Sequence, residues 1–414
     1  MRRLFFFTEF YHPAQDTTGY YVTKIVHTAA QCLDLPVNVC CATPSSNGEL
    51  HGFENLTVKR VKVGRYDKNN LSHRLAKYAV IAIRFMVYAL SRVKRRDIVF
   101  AVTNPACLML FLALLRKIRS FQYILLVYDV HPENLVPAGL AKKDSLLYRF
   151  AVRCFNWAYR AADELIVIGR DMEEVVRRKV GNGCRITRIP NWADVNAIRP
   201  QPRGENELLR EHHLQDKTVF LFAGNLGRVQ GIENLLRAIA RTKSASAAFL
   251  FVGDGVLRPE IERFIRENPD KRVMYLGRFP LSAQQLFLNA CDVAFVTLDD
   301  AMYGLGVPSK SYFSMAAGKP LLLVADSRSE IGRVVGESRI GWIVPPNQPE
   351  RLAKKIDEIC QVGDLDKVGR RAREVVERHF SEQVVLSCYS HYFRELTGQV
   401  AAQKPRADAA MDAA

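Results

Sequence analysis

Apolar residues come in short unbroken runs separated by longer stretches in which they recur every three or four positions. The runs predict strands over 3–7, 36–42, 57–63, 97–103, 122–128 and 164–168. Runs without polar alternation fit strands covered on both faces. The periodic stretches predict helices from about Gly19 to Cys32 and over 71–93, 106–118, 144–161 and 171–180. The rhythm restarts near 217, with strands over 217–224, 247–252, 272–276, 292–297, 320–325 and 341–344. Helices are predicted between them over 231–242, 258–267, 282–290, 308–317 and 328–336, and two more over 366–379 and 381–396. Strands alternating with helices predict an α/β fold with parallel sheets. Two such sheets place ligands at the carboxyl ends of their strands, in a cleft between domains.

The stretch 190–206 (PNWADVNAIRPQPRGEN) has three prolines and little periodicity, and reads as a linker. The domains are therefore expected over 1–195 and 196–379. A helix near 380–397 returns to the first domain, and 398–414 forms a polar, Ala-rich, disordered tail. With 48% apolar and 25% charged residues the chain is neither disordered, collagen-like nor a small disulfide scaffold. Nine cysteines without regular spacing fit reduced thiols in a cytosol, and no Cys/His cluster suggests a metal. The longest apolar run, Ala106 to Leu115, is about half a membrane span, and Leu4 to Phe7 is too short for a secretory core.

The net charge of +16 is concentrated, because residues 59–119 hold 15 basic and two acidic residues. Such a stretch points to an anionic partner. Within it, at 100° per residue along the helix predicted over 73–96, Arg74, Lys77, Arg84, Arg92 and Arg95 share an arc of about 80° with Ile81 and Tyr88. Ala82, Ile83, Phe85, Met86, Ala89 and Leu90 cover the other side. A basic stripe beside a wide apolar face predicts a helix lying on an anionic membrane. The competing reading is a core helix with a solvated basic edge. Nucleic acid is not expected, since no aromatic-interleaved basic ribbon is present.

Four constellations carry chemistry. In AGNLGRVQGIENLL (223–236), Gly224, Gly227 and Gly231 lie between a strand and a helix, where bare backbone and a helix start suit a phosphate. In YGLGVPSKSYFSMAAGKP (303–320), Pro308 is expected in a first helical turn, which offers the Ser309 and Lys310 amides, the Ser309 hydroxyl and the Lys310 ammonium to a diphosphate. FVGDG (251–255) places Gly253 and Asp254 in a strand-end turn, and Gly277-Arg278 ends the next strand; both are also common turns. VYDVHPEN (127–134) sets Asp129, His131 and Glu133 after a very apolar strand. The carboxylates suit sugar hydroxyls, and the imidazole suits positioning or polarising a leaving group.

These pieces together with FYHPAQDTTGYYVTKI, PNWAD and YLGRFP occur in family order over about residues 1–380. The chain resembles the retaining sugar-nucleotide glycosyltransferases of family four, nearest the bacterial polysaccharide subgroup of colanic-acid-type and fucosamine-type transferases. The resemblance implies the GT-B fold, two Rossmann-like domains with an interdomain cleft. It implies that Gly224, Asn225, Gly227, Gly306, Ser309 and Lys310 hold a donor diphosphate, with Thr18 and Gly19 closing from the first domain. Gly253, Asp254 and Arg278 would flank the nucleotide, while Asp129, His131 and Glu133 face the sugar or acceptor. No metal or other cofactor is implied, the nucleotide-sugar being a co-substrate. The family's E-x(7)-E pair falls here on Leu305 and Phe313, and its Arg and Lys in the first glycine loop on Asn225 and Gln230, leaving Arg228 to supply charge.

The expectation is a metal-independent, retaining hexosyl- or N-acetylhexosaminyl-type transferase. It would act on a lipid-linked sugar or glycan acceptor, peripherally on the cytosolic face of the inner membrane. The rivals are a catalytically inactive binding subunit of a polysaccharide assembly complex, supported by Leu305 and Phe313, and a sugar-nucleotide 2-epimerase.

Overall fold

Seven segments of the first half, the central ones unbroken apolar runs, pair in parallel in a sheet whose two faces are covered by helices. In the computed structural model, which describes residues 2–14, 16–43, 52–64 and 71–399, these are β1 (Leu4–Thr8), β2 (Val37–Cys41), β3 (Leu56–Arg60), β4 (Ile98–Val102), β5 (Gln122–Val127), β6 (Glu164–Val167) and β7 (Arg185–Arg188). Their order is β3-β2-β1-β4-β5-β6-β7. Every residue of β1 and β4 is buried, as the unbroken apolar runs require. The helices are α1 (Thr17–Cys32), α2 (Leu71–Arg92), α3 (Cys107–Ile118), α4 (Leu146–Arg160) and α5 (Arg170–Val180).

The second sheet has β8 (Thr218–Ala223), β9 (Ala247–Val252), β10 (Val273–Tyr275), β11 (Val293–Thr297), β12 (Leu321–Val324) and β13 (Gly341–Val344), in the order β10-β9-β8-β11-β12-β13. In each sheet the order reverses once, between β1 and β4 and between β8 and β11, and ligands of open α/β sheets bind beyond the strand ends at such a point. Phe220, Phe249 and Phe295 stack across β8, β9 and β11 with centroids 5.4–6.4 Å apart. Its helices are α6 (Glu207–Glu211), α7 (Ile232–Arg241), α8 (Arg258–Glu267), α9 (Gln284–Asn289), α10 (Lys310–Ala316), α11 (Glu330–Ser338), α12 (Pro349–Ile359) and α13 (Leu365–His379). The last helix, α14 (Glu382–Thr397), packs on the first sheet's unit through Phe393, whose ring lies 6.1 Å from Phe6 and 5.9 Å from Phe100. One compact unit takes the chain up to Val136, Ala141–Pro190 and the part from Val385, and the other takes Pro137–Leu140 and Asn191–Val384.

Several expectations change. The supposed linker is ordered and partly core: Asn191, Trp192, Ala193 and Ile198 are buried. Ala193 pairs with the start of α14 through Ala193 N to Phe380 O at 3.0 Å and Glu382 N to Ala193 O at 2.9 Å. The Arg373 guanidinium donates to the carbonyls of Val195 and Ile198, each at 2.7 Å, and to that of Ala316. Helix α1 starts two residues earlier than expected because Asp16 caps it, accepting from Gly19 N at 2.8 Å. Helix α10 starts at Lys310, with Pro308 before it accepting from Ser311 N. Strand β7 is short, polar and at a sheet edge, so no apolar run announces it. Helix α12 carries an N1 proline and a stripe of Leu352, Ala353, Ile356 and Ile359, a signal absent from the expectations above. Gly398 N donates to Glu395 O, and the rest of the expected tail from residue 400 lies outside the described residues.

Candidate functional site

The second sheet gathers its glycine turns along one edge. Gly224 follows β8, Gly253 follows β9 and Gly277 follows β10. Gly224 N donates to Val252 O at 2.9 Å, and Gly253 N to Gly277 O at 2.8 Å. A Cβ on Gly253, whose φ is +136°, would lie 1.8 Å from Gly224 O, so only glycine allows the two strand ends to approach this closely. Gly253 is thus a packing residue. Asp254 is exposed, its carbonyl taken by Leu226 N and its carboxylate by Gly255 N. Arg278 is exposed beyond β10, the edge strand.

Lys310 reaches into this row from the connection after β11. Its Nζ lies 3.8 Å from the centre of the buried Phe222 ring and donates to Gln230 Oε1 at 2.7 Å, and its Cδ lies 3.9 Å from the position of a Cβ on Gly224. Burial of the ammonium pushes its pKa down to about 7. Thr297 Oγ1 donates to Gln230 O, and Asp299 N to Val229 O at 2.9 Å, tying the end of β11 to the first glycine loop. The structure therefore brings Gly224 and Lys310 together, with exposed Asn225 and Arg228 and half-buried Gly227 on the same loop. Gly306 and Ser309 lie in the approach to α10, whose seven residues give little helix dipole. Leu305 and Phe313 are buried apolar residues. Phe222 and Gln230 were not expected as partners of Lys310; the phenylalanine reads as core, and only folding brings the glutamine across.

In the first unit, Tyr128 N and Asp129 N donate to Thr103 Oγ1 at the end of β4 (3.2 and 3.3 Å), and His131 N donates to Tyr159 Oη of α4 at 3.1 Å. Burial raises the Asp129 carboxyl to about 6 and lowers the His131 imidazole to about 4, so near neutrality the first is largely ionised and the second neutral. Glu133 is paired with Lys179 at 2.5 Å, and that lysine is 5% exposed and stands 5.3 Å over the Tyr159 ring. Burial lowers the Lys179 pKa despite its partner. Glu133 Oε2 has no hydrogen-bond partner among the described residues, which suits it to a hydroxyl donor. Thr18 and Gly19 form the first turn of α1, where a Cβ on Gly19 would meet Ala14 Cβ at 2.6 Å. Lys179 was not foreseen, although a lysine on the Met172–Val176–Val180 stripe of α5 is its local trace.

The basic stripe expected over 73–96 does not form as drawn. Lys77 donates to Glu9 at 2.7 Å, a carboxylate 2% exposed after β1, so its charge is engaged by a buried partner although a third of its own side chain is exposed. Burial still raises the Glu9 pKa, and Glu9 Oε2 has no partner among the described residues. Helix α2 ends at Arg92, so Arg95 lies beyond it, and the side chain of Arg74 is outside the described residues. Ile81, Ala82, Phe85 and Ala89 enter the core, while Ile83, Val87 and Leu90 are exposed beside Arg84 and Arg92. Among the described residues no helix is long and apolar enough to cross a membrane, and no three His, Cys, Asp or Glu side chains form a metal cluster.

Comparison with known proteins agrees with this architecture. Residues 19–192 match a glycosyl transferase 4-like domain, and residues 217–361 match glycosyl transferases group 1. The probable glycosyltransferase WbjE of Pseudomonas aeruginosa is 41% identical over 96% of this chain and 99% of its own length. The putative colanic acid biosynthesis glycosyl transferase WcaI of Escherichia coli is 24% identical over 66% of this chain and 68% of its own. The crystal structure of Anabaena HepE in complex with UDP shares the fold, with a TM-score of 0.68 and 16% identity over 97% of this chain and all of that one. With parallel sheets of seven and six strands and relatives of this kind, the chain belongs to the family-four glycosyltransferases of GT-B fold.

Proposed function

We propose that the protein transfers a sugar, of hexosyl or N-acetylhexosaminyl type, from a nucleoside-diphosphate donor to a lipid-linked sugar or glycan. The setting proposed is bacterial surface polysaccharide synthesis at the cytosolic membrane face. The observation that carries the reading is the Lys310 ammonium, held between Phe222, Gln230 and the Gly224 loop at the switch point of the second sheet. A half-buried lysine that titrates near 7 beside bare backbone is suited to the negative charge of a diphosphate, whose arrival favours the ammonium form. Arg228 is available to add charge from the same loop, so the transfer is proposed to need no metal. The colanic-acid name of WcaI supports the polysaccharide setting, and the UDP held by HepE supports a nucleotide donor.

The transfer is proposed to retain configuration by front-face attack. The bond from the anomeric carbon to the diphosphate oxygen breaks with its electron pair on the phosphate. The acceptor oxygen bonds to the same face, and its proton passes to the leaving phosphate oxygen. Asp129 and Glu133 would hold sugar hydroxyls and neutral His131 would orient them, none forming a covalent bond.

Thermal-shift titration with UDP, GDP and ADP tests the donor site. A nucleotide at 100 times its dissociation constant adds about 2.7 kcal/mol to the folded state. The expected result is a clear shift with one of the three, lost in Lys310→Ala. No shift with any of them, or a shift untouched by Lys310→Ala, overturns the assignment. Binding without turnover of the matching nucleotide-sugar would identify a binding subunit, with Phe313→Glu the first reversion to try.

A further inference from the structure

Helix α4 starts at the carboxyl end of the first sheet, after the loop that carries Asp129 and His131, and its N-terminal half exposes a compact group of large apolar side chains beside cations. Leu146, Leu147 and Phe150 are 82, 78 and 63% exposed, the most exposed large apolar side chains of the first unit apart from Ile118. At 100° per residue they occupy an arc of about 100°. Arg149 and Arg153 flank that arc on one side, and Lys142 and Lys143 precede the helix; all four are exposed. Segment 142–160 holds five cations and a single carboxylate, Asp144. The opposite face is anchored, with Tyr148, Ala158 and Tyr159 buried.

We propose that the outer face of the N-terminal half of α4 inserts into an anionic lipid surface. This rests on the membrane reading above and moves the contact from α2 to α4. Three large apolar side chains, projecting beyond cations whose stems can snorkel, fit the interfacial layer of a bilayer carrying negative headgroups. The same charges speak against a second copy of the chain, because a twofold contact would set five cations against five. The placement also bears on the acceptor. Tyr159 of α4 accepts from His131 N, and Phe155 lies 6.0 Å from the His131 ring. Thirteen residues of helix separate Leu146 from Tyr159, about 20 Å at 1.5 Å per residue. Insertion of Leu146 would keep the Asp129–His131 loop no farther than about that distance from the bilayer, whatever the tilt of the helix, within reach of a lipid-linked headgroup.

The test is co-sedimentation of the full chain, at physiological salt, with vesicles of three parts phosphatidylethanolamine to one part phosphatidylglycerol and with vesicles of phosphatidylcholine. The expected result is binding to the anionic vesicles that falls about tenfold or more in the triple variant L146S/L147S/F150S. The nucleotide thermal shift of that variant should be unchanged, showing an intact fold. Arg84→Gln with Arg92→Gln should lower binding less than about threefold. Triple-variant binding equal to the parent's overturns the inference. If the α2 variant then carries the loss, the membrane reading survives with α2 as the contact. Failure of the parent to bind either vesicle overturns both readings. A parent oligomer that the triple variant disperses, without vesicle binding, overturns the inference in favour of self-association.

Discussion

Asp129 keeps a partly exposed edge, but its carboxyl is enclosed, and burial raises its pKa to about 6 from an unfolded value of about 3.9. Between about pH 4 and pH 6 the folded chain therefore holds a proton that the unfolded chain has released, so this group lowers stability as pH rises through that window. The deficit is full above pH 6 and amounts to about 2–3 kcal/mol. Asp129→Asn is expected to be more stable than the parent by about 2 kcal/mol at pH 7.5, the gain shrinking toward nothing near pH 4, in urea titrations at the two pH values. The opposite contribution of His131, whose lowered pKa favours the folded chain as pH rises from about 4 to 6.5, is common to both proteins and cancels. A variant less stable than the parent at pH 7.5 would show that the carboxylate is a structural asset. The strand-end position of Asp129 and His131 is legible in sequence because the polar residues that follow YILLV and Tyr128 have no place in the sheet. The Glu133–Lys179 and Glu9–Lys77 pairs are not, since each joins residues far apart in the chain.

The strand–glycine–helix connections show how much an element discloses by itself. The rhythm of apolar run, glycine and periodic stretch places Gly224 and Gly253 at strand ends, and the structure agrees. It does not disclose that the two glycines meet, which depends on β8 and β9 being neighbours in register. Gly253→Ala would set a methyl 1.8 Å from Gly224 O at a φ of +136° that alanine resists, so the β8–α7 loop has to move. The expected outcome is a destabilisation above about 3 kcal/mol together with loss of the nucleotide-induced thermal shift. A folded Gly253→Ala protein with an undiminished shift would place the nucleotide away from this loop. Helix α2 shows the opposite limit. Its amphipathic pattern reads correctly as a helix, but the pattern does not say which cations are consumed internally, and Lys77 is one of them.

At the scale of the whole chain the first unit is closed by a helix that follows the second unit in sequence. Phe393 is fully buried against Phe6 and Phe100, Tyr389 and Tyr392 are buried beside it, and Arg185 pairs with Glu395 at 2.9 Å. Full burial of one such ring contributes about 1.5–3 kcal/mol, so the three aromatic residues together match a large share of a domain's net stability of 5–15 kcal/mol. Ending the chain at residue 384 uncovers the Phe6–Phe100 surface and strips these contacts from the first unit alone. The second unit keeps its sheet, its Gly224–Lys310 row and the Arg373 clasp on Val195 and Ile198, all of which lie within Asn191–Val384. Calorimetry of the shortened chain is therefore expected to lose or strongly lower one of two unfolding transitions, while the remaining transition still rises with the nucleotide that stabilises the full protein. Loss of both transitions would mean that the units fold only together. Retention of both would mean that the last helix adds little, against the burial of its three aromatic rings.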